Sequence, residues 1–474
     1  MSDKPHLNLV FPRGECLRNF VYSGMAGHSR ASAKVSLLSV IPSPTVRGIL
    51  EENVDELDEL ISLPQDYRVR LTREILSMAH GRRLWSEAAK ARWRFRELEA
   101  NSFGRRLRLW GKRLMCYPLL HQPGMRLLHR LESWTSQTWP KSDHFTAYYR
   151  QKRPDLVFNA SHVHSTIATP AIHAARQLDI PTATFLFSWD NLTSQGPIYP
   201  LYDHYLVWNR EIANQLQTIY PSIQSHQITV TGTPQFDFHF DRSQQWTKAE
   251  FCQRTGADPS RKLVLYTTGM PNHMPGEEVL VEALADLLKS LPGSPQLMVR
   301  VYAKDRTGRF KDLQTRRKDI LFPRALWEMN WLTPLPEDGP LWSNMLRYSD
   351  IGVNVASTVS LELFMFGKPT INIAFNPPGI DISPKDYASY YSYDHYQPVA
   401  QSGGLYLVRS LDELKQALAS GLQEPDARRE AQNKLLNRFF ADSLDGKSGT
   451  RVTKALLEII AQETSKEHKS GRSE

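Results

Sequence analysis

The chain has 474 residues, which at roughly 100–200 residues per domain means two or three domains and excludes a small binding module. Hydrophobic residues make up 41% and charged residues 23%, so the chain is globular, neither disordered nor collagenous. The formal net charge is +8, and three widely spaced cysteines suit neither a disulfide framework nor a zinc site.

The N-terminal residues lack the apolar stretch of a secretory signal peptide, because Pro12, Arg13, Gly14 and Glu15 interrupt a short apolar run. No run of about 18 apolar residues occurs, so we predict no membrane-spanning helix. Together with the sparse cysteines, these patterns predict a soluble or peripheral protein in a reducing, cytoplasmic compartment.

The first half of the chain alternates short buried strands with helices. The predicted strands are 7–11, 35–41, 155–158, 182–187, 205–208 and 227–231. One helix is predicted from the loop after the first strand to about residue 33, and residues 45–150 are predicted to be mainly helical. Because alternating strands and helices imply a parallel sheet, we predict a Rossmann-like N-terminal domain over 1–240, with a basic helical insertion at about 45–150.

A second α/β series follows a polar hinge. Its predicted strands are 263–267, 297–302, 350–355 and 370–375, and its predicted helices are 277–289, 309–317, 358–366, 411–422, 426–440 and 449–464. We predict a second Rossmann-like domain over 241–464 and a charged, disordered tail over 465–474. The expected fold class is α/β, with two Rossmann-like domains facing a cleft.

A basic block lies between Arg68 and Arg130. It contains 16 Lys or Arg and four Glu, a net charge of +12 that leaves −4 for the rest of the chain. Trp, Phe and Leu are interleaved with these charges, a pattern typical of a surface that meets an anionic membrane or a nucleic acid. A solvated, arginine-rich helical surface is the alternative.

The segment 350–369, DIGVNVASTVSLELFMFGKP, predicts a central strand that leads into a helix with Ser357 as N-cap. A helix start exposes unpaired amides and a partial positive charge, so the segment suits a phosphate, with the hydroxyls of Ser357 and Thr358 as further donors. Glu362 lies one turn later on the same helix face, at an offset that suits ribose hydroxyls. A capped core helix with a solvent-facing Glu362 is the alternative.

Three polar loops follow predicted strands of the N-terminal domain. The loop SWDNLTSQG, 188–196, carries Asp190 and follows the strand 182–187, where substrates of doubly wound folds bind. His162, with Asn159 and His164 beside it, follows the strand 155–158, and Glu15 follows the first strand. We predict that Asp190, His162 or Glu15 acts as the general base. Bracing of the loop is the alternative role for Asp190.

Two further loops follow strands of the second domain. Arg300 and Lys304, with Arg306 and Arg309 after them, bring positive charge to a strand end, where it would stabilise a diphosphate leaving group. Gly269 lies in the loop after the strand 263–267 and is expected to line the cleft. A solvated charge run is the alternative for the basic loop.

The segment 345–375 resembles the nucleotide-binding strand and helix of GT-B glycosyltransferases, with its Ser-Thr-x-x-x-Glu pattern and FGKP ending. The loops SWDNLTSQG, YLVWN and VTGTPQFD resemble those of bacterial surface-polysaccharide glycosyltransferases. The resemblance implies that Ser357 and Thr358 hold the donor pyrophosphate and that Glu362 holds the ribose. Gln195 stands where the family has Lys, and Tyr302 and Ala303 replace its His-Pro, so no charge or histidine role carries over there.

We therefore predict a metal-independent glycosyltransferase without a cofactor, which moves a sugar from a nucleotide-diphosphate sugar to a glycan or lipid-linked acceptor in surface polysaccharide biosynthesis. The predicted location is cytoplasmic, peripheral on an anionic inner membrane face, without nucleic acid as a partner. No P-loop, GxGxxG, HExxH or CxxC pattern favours hydrolysis, dinucleotide redox chemistry or zinc catalysis. The alternatives are a CDP-glycerol-type polyol-phosphate transferase, a UDP-sugar 2-epimerase, or a nucleic-acid-binding protein that uses the basic block.

Overall fold

The computed structural model describes residues 4–138, 143–163, 166–383 and 386–470. The chain forms two compact units: unit 1 contains Met1–Asp237 and Ser443–Glu474, and unit 2 contains Phe238–Asp442. Among the described residues, no helix is long and apolar enough to cross a membrane.

Unit 1 is an α/β unit whose strands and helices alternate. In chain order its elements are β1 His6–Phe11, α1 Glu15–Phe20, α2 Met25–Ser32, β2 Lys34–Ser39, α3 Pro44–Asn53, β3 Glu56–Glu59, α4 Tyr67–Leu84, α5 Glu87–Glu99, α6 Phe103–Cys116, α7 Gln122–Thr138, α8 Asp143–Lys152, β4 Leu156–Asn159, α9 Thr169–Gln177, β5 Thr182–Phe185, α10 Asn191–Ser194, β6 His204–Val207, α11 Arg210–Ile219 and β7 Ile228–Val230. The seven strands form a parallel sheet in the order β3-β2-β1-β4-β5-β6-β7.

The sheet of unit 1 follows from its apolar strands. All six residues of β1 and all four of β4, β5 and β6 are buried, as expected for parallel strands covered on both faces. The helix predicted up to residue 33 is two helices: the first ends at Phe20, and Gly24, left-handed with φ of 77°, is the N-cap of the second. Residues 45–150 are also not purely helical, since they contain the polar edge strand β3.

Unit 2 repeats the α/β alternation. Its elements are α12 Lys248–Thr255, β8 Leu263–Thr267, α13 Glu277–Lys289, β9 Gln296–Arg300, α14 Lys311–Arg316, β10 Ile320–Leu321, β11 Trp327–Glu328, β12 Thr333–Pro334, α15 Asp338–Tyr348, β13 Ile351–Asn354, α16 Val359–Met365, β14 Thr370–Ile373, α17 Gln397–Ala400, β15 Tyr406–Val408, α18 Leu411–Gln423 and α19 Arg429–Phe440. Six strands form a parallel sheet in the order β10-β9-β8-β13-β14-β15, and β11 pairs with β12 in an antiparallel hairpin.

The last helix of the chain, α20 Ser448–Ser470, belongs to unit 1 rather than to unit 2. The hydroxyl of Thr453 donates to the carbonyl of Met25 at 3.1 Å, and Glu463 pairs with His204 at 3.0 Å. The predicted second domain, 241–464, therefore extends too far. Unit 2 ends at Asp442, and α20 packs against unit 1. Residues 465–470, predicted as part of a disordered tail, continue α20, and residues 471–474 lie outside the described residues.

Candidate functional site

In the parallel sheet of unit 2, the order in which the chain adds strands reverses between β8 and β13. The chain runs from β8 to β9 on one side and later returns to β13 on the other, so the loops after β8 and β13 separate at their carboxyl ends. Ligands of doubly wound folds bind at such a switch point. Gly269 follows β8, Ser357 follows β13, and Arg300 ends the neighbouring β9. The predicted donor-site residues therefore share one edge of the sheet.

The loop after β13 is a short, constrained connection. Ala356 has a positive φ of 37°, which is unfavourable for a residue with a side chain, and its N–H donates to the Tyr391 hydroxyl at 3.2 Å. Ser357 donates its N–H to Asn354 Oδ1 and accepts from the Val359 N–H, each at 3.3 Å. The N-cap of α16 is Thr358, one residue later than predicted, and its side chain makes no capping bond. The Ser357 hydroxyl still satisfies a helix-start amide.

Glu362 is buried within unit 2, which contradicts the alternative of a solvent-facing side chain. One of its carboxylate oxygens accepts hydrogen bonds from His239 Nε2 at 2.8 Å and from Trp342 Nε1 at 2.7 Å. Its side chain is 9% exposed and that of His239 is 2% exposed. His239 and Trp342 cannot be recognised from the sequence as partners of Glu362, because 123 residues separate His239 from Glu362 and no local pattern links them.

Arg300 ends β9 and forms a buried ion pair. Its Nη2 donates to both carboxylate oxygens of Asp338, at 2.6 and 2.8 Å. Asp338 also accepts from the Trp327 indole at 2.8 Å and from the Leu326 N–H at 2.8 Å. Much of the positive charge predicted for this strand end is therefore balanced within the protein. Nη1 of Arg300 is buried and has no hydrogen-bond partner among the described atoms, so one donor is unused.

The loop after β8 is organised by Glu277. The Gly269 N–H donates to the Glu277 carboxylate at 2.9 Å, and Arg309 Nη2 donates to the same carboxylate at 2.8 Å. Burial raises the pKa of Glu277 to about 7, against the opposing effect of Arg309 and the N–H donor. A Cβ atom at position 269 would lie 2.5 Å from Met274 Cγ, so the loop requires glycine there. Lys304 lies half-buried in the adjacent loop after β9.

In unit 1 the strand order reverses between β1 and β4. The predicted acceptor-site loops follow β1, β4 and β5. Both oxygens of Glu15 are held by Arg13, at 2.7 and 3.1 Å, and the Arg13 guanidinium lies 4.9 Å from the centre of the Phe187 ring. His162 is buried, and its Nδ1 lies 3.2 Å from the Phe185 carbonyl oxygen. The structure therefore brings Glu15 and His162 to the start of the loop that contains Asp190.

Asp190 is half-buried at the start of α10. Its carboxylate accepts from the Ser194 hydroxyl and from the Asn191 side chain. Helix α5 holds the same loop from outside, since Arg92 donates to the Gln195 carbonyl at 2.9 Å and Ser86 donates to the Thr193 carbonyl at 2.8 Å. The helices of the basic block thus position the Asp190 loop. His164, the other histidine predicted here, lies outside the described residues.

A cavity of about 620 Å³ in unit 1 lies away from these loops. Arg126, Arg176, Leu201 and Tyr220 line it, and the last three lie near the amino ends of β5, β6 and β7. It is therefore at the opposite edge of the sheet from Glu15, His162 and Asp190. In the described part of the chain, no three His, Cys, Asp or Glu side chains gather as a metal ion requires, and metal independence stays a prediction.

No family model and no curated protein matches the sequence. Solved structures do match: a UDP-GlcNAc 2-epimerase from Neisseria meningitidis is 13% identical with a TM-score of 0.53, spanning 96% of this chain and 100% of that one. A putative UDP-N-acetylglucosamine 2-epimerase from Listeria monocytogenes is 12% identical with a TM-score of 0.56, spanning 97% of both chains. A glycosyltransferase from Rickettsia africae is 11% identical with a TM-score of 0.50, spanning 96% and 99%.

The chain has the GT-B fold. The predicted fold class of two Rossmann-like α/β domains, and the resemblance to GT-B proteins, are confirmed at the level of the fold. Helices α4 to α8 lie between β3 and β4, and their status as an insertion into the fold stays a prediction.

Proposed function

We propose that the protein is a glycosyltransferase that moves a sugar from a nucleotide-diphosphate sugar to a glycan or lipid-linked acceptor in surface polysaccharide biosynthesis. The observation that carries the proposal is the switch point of unit 2. There the strained Ala356–Thr358 loop, the Gly269 loop and the unused Nη1 of Arg300 lie at neighbouring strand ends. Hydroxyls and a guanidinium are donors that a pyrophosphate needs, whereas the N–H groups of Gly269, Ala356 and Ser357 already donate to acceptors within the protein.

In this proposal the donor lies at the carboxyl edge of unit 2. Ser357 and Thr358 bind the pyrophosphate, Arg300 and Lys304 stabilise the charge that develops on the leaving diphosphate, and Gly269 allows the backbone to approach it. Glu362 contacts the ribose with the carboxylate oxygen that His239 and Trp342 leave available. The buried pair fixes the carboxylate before the ligand arrives, which lowers the entropic cost of binding.

The acceptor lies at the carboxyl edge of unit 1. The acceptor oxygen attacks C1 of the sugar, the bond from C1 to the diphosphate oxygen breaks, and the acceptor proton passes to a base. We assign this base to His162, whose imidazole lies at the same edge of the sheet. Asp190 shapes the loop with Ser194, and Glu15 is a positioning residue because Arg13 occupies both of its oxygens.

The second candidate function is a UDP-sugar 2-epimerase. It is favoured by the structural match to the Neisseria meningitidis enzyme, whose structure is described as bound to UDP-GlcNAc, whereas the Rickettsia africae match favours transfer. Both reactions begin from a nucleotide sugar. An epimerase needs acid and base groups around C2 of the sugar and no acceptor.

The two reactions are distinguished by their products. The purified protein is screened for thermal stabilisation by UDP-, GDP-, dTDP- and CMP-sugars and by CDP-glycerol, because a ligand at a hundred times its Kd adds about 2.7 kcal/mol of stability. Products with the stabilising donor are then analysed by mass spectrometry and chromatography. Acceptor-dependent release of the nucleoside diphosphate from a UDP-, GDP- or dTDP-sugar supports the glycosyltransferase, and release of CMP from CDP-glycerol supports a polyol-phosphate transferase. A new epimer formed without an acceptor supports the epimerase. Stabilisation by none of the nucleotide sugars contradicts both.

We further propose that the enzyme works in the cytoplasm at the inner face of the membrane, where a lipid-linked acceptor is available. The support for this is the net charge of +12 on the basic block, which also exposes large apolar side chains on unit 1.

A further inference from the structure

Helices α6 and α7 of unit 1 expose two apolar stripes with the same spacing. On α6 the stripe contains Phe103, Leu107, Trp110 and Leu114, whose exposed fractions are 82%, 62%, 68% and 74%. On α7 it contains Leu127, Leu131 and Trp134, which are also exposed. Positions three and four residues apart lie on one helix face, so each set forms a continuous line of large apolar side chains. We call these seven residues the α6–α7 surface.

The α6–α7 surface is separate from the faces that build the protein core. Helix α6 packs inward through Leu109 and Cys116, and α7 through Met125 and Leu128, all in one cluster with α4. The stripe residues therefore lie outside this core cluster. An exposed apolar patch of this kind marks an interaction site for another protein or for a membrane.

Positive charge flanks the α6–α7 surface. Arg105, Arg106 and Arg108 on α6 and Arg126 and Arg130 on α7 are exposed. Helix α6 carries no acidic residue at all. These cations lie beside apolar stripes that each include a tryptophan, a side chain that favours the boundary between lipid headgroups and acyl chains.

We propose that the α6–α7 surface docks on an anionic lipid bilayer, with the apolar stripes in the boundary between headgroups and acyl chains and the flanking arginines on lipid phosphates. The exposed charges on α6 and α7 are all basic and lie beside tryptophans, a combination that suits an anionic membrane. The proposal deepens the proposed function, because it places a lipid phase beside unit 1, but vesicle binding is measured independently of any sugar chemistry.

The same helices connect the α6–α7 surface to the Asp190 loop. Helix α4 packs against α5, α6 and α7, and Arg92 and Ser86 near the start of α5 hold the loop through the Gln195 and Thr193 carbonyls. The α6–α7 surface is thus connected to the proposed acceptor loop through α4 and α5. Docking brings a lipid-linked acceptor to that loop.

The contacts of each basic side chain show which ones can be substituted without disturbing the packing of α6. Lys112 is held by Glu74 at 2.6 Å, and Arg113 is buried, pairs with Glu97 at 2.5 Å and lies 4.2 Å from the centre of the Trp93 ring. Changing Lys112 or Arg113 would disturb the packing of α6, so both are kept. Arg105, Arg106 and Arg108 are exposed, and within the described part of the chain they bond only to residues nearby in sequence.

The test is co-sedimentation of the full chain with vesicles of phosphatidylcholine, alone or mixed with phosphatidylglycerol. We expect binding to the anionic vesicles that falls as salt rises, because the Debye length shortens from about 10 Å at 0.1 M to about 3 Å at 1 M. The triple variant Arg105→Gln, Arg106→Gln, Arg108→Gln and the triple variant Phe103→Ser, Trp110→Ser, Leu114→Ser should each weaken binding at least tenfold. Circular dichroism and thermal melting verify that both variants fold.

Two control variants match these changes elsewhere in the chain. Lys415→Gln, Lys434→Gln, Lys454→Gln removes the same charge from exposed positions, and Trp331→Ser removes an exposed indole from unit 2. Both controls should bind as the unchanged protein does. Lack of binding to anionic vesicles, equal binding to neutral vesicles, or equal loss in the controls overturns the proposal. So does self-association in size-exclusion chromatography that the apolar variant abolishes while vesicle binding persists, since a second copy would then cover the surface.

Discussion

The carboxylate of Glu362 accepts a hydrogen bond from Nε2 of His239 at 2.8 Å, and both side chains are buried in unit 2. The bond joins the segment that opens unit 2 to the helix after β13. Glu362 is therefore also a packing residue, and its proposed role toward ribose is coupled to stability.

Glu362→Ala is predicted to destabilise the protein by about 3 kcal/mol, because it leaves the His239 and Trp342 donors buried and unsatisfied. Glu362→Gln retains an acceptor oxygen and should cost less than half as much. Urea unfolding measures both variants. An alanine variant that unfolds at the same urea concentration as the unchanged protein would show that the pair contributes nothing to stability.

His80 makes unit 1 sensitive to acid. It is buried, and burial, with the nearby His129, Arg92 and Arg83, lowers the pKa of His80 to about 3. The folded state then binds fewer protons than the unfolded state below about pH 6.5, so stability is lost as pH falls. His80→Phe, which can keep the stacking on Tyr220, should reduce the slope of unfolding free energy between pH 6 and 4 by about 1.4 kcal/mol per pH unit.

The control for this slope is His226→Gln, because His226 is exposed. Its unfolding free energy should follow the pH dependence of the unchanged protein. If His80→Phe keeps the full slope, His80 is not the group that takes up the proton.

The general base is tested by two substitutions in unit 1. His162→Gln should lower turnover by about 10² to 10⁴ with donor affinity unchanged, the range typical of losing acid–base catalysis. Asp190→Asn keeps an acceptor for Ser194 and should lower turnover less than tenfold. Initial rates at saturating donor separate the two effects. The opposite order would make Asp190 the base and His162 a buried structural residue.

The sequence was most informative where apolar residues run continuously. Strands β1, β8 and β13 and the Gly269 and Ser357 loops were predictable, since buried parallel strands and turn residues leave a local pattern. Strand β3, ELDE, was missed because a polar edge strand lacks that pattern. Helix α15 was missed too, as Glu337 precedes it without a side-chain cap.

Long-range pairing explains most of what the sequence could not predict about the site. The partner of Arg300 is Asp338, and that of Glu362 is His239, and neither spacing follows a helix or strand period. The return of α20 to unit 1 likewise depends on contacts with residues more than 400 positions earlier, such as that between Thr453 and Met25. Only the fold brings these residues together.

Nucleotide binding to the loop after β13 tests the central proposal most directly. Isothermal titration is performed with UDP, GDP, dTDP and CDP on the unchanged protein and on the double variant Ser357→Ala/Thr358→Val. The control is Gly48→Ala on a helix surface, where an added Cβ meets no atom within 4 Å. We predict that one nucleotide binds, that the double variant folds but binds it at least tenfold more weakly, and that the control binds normally. Binding of that nucleotide with unchanged affinity to the folded double variant, or no binding of any nucleotide to the unchanged protein, would contradict the proposed donor site.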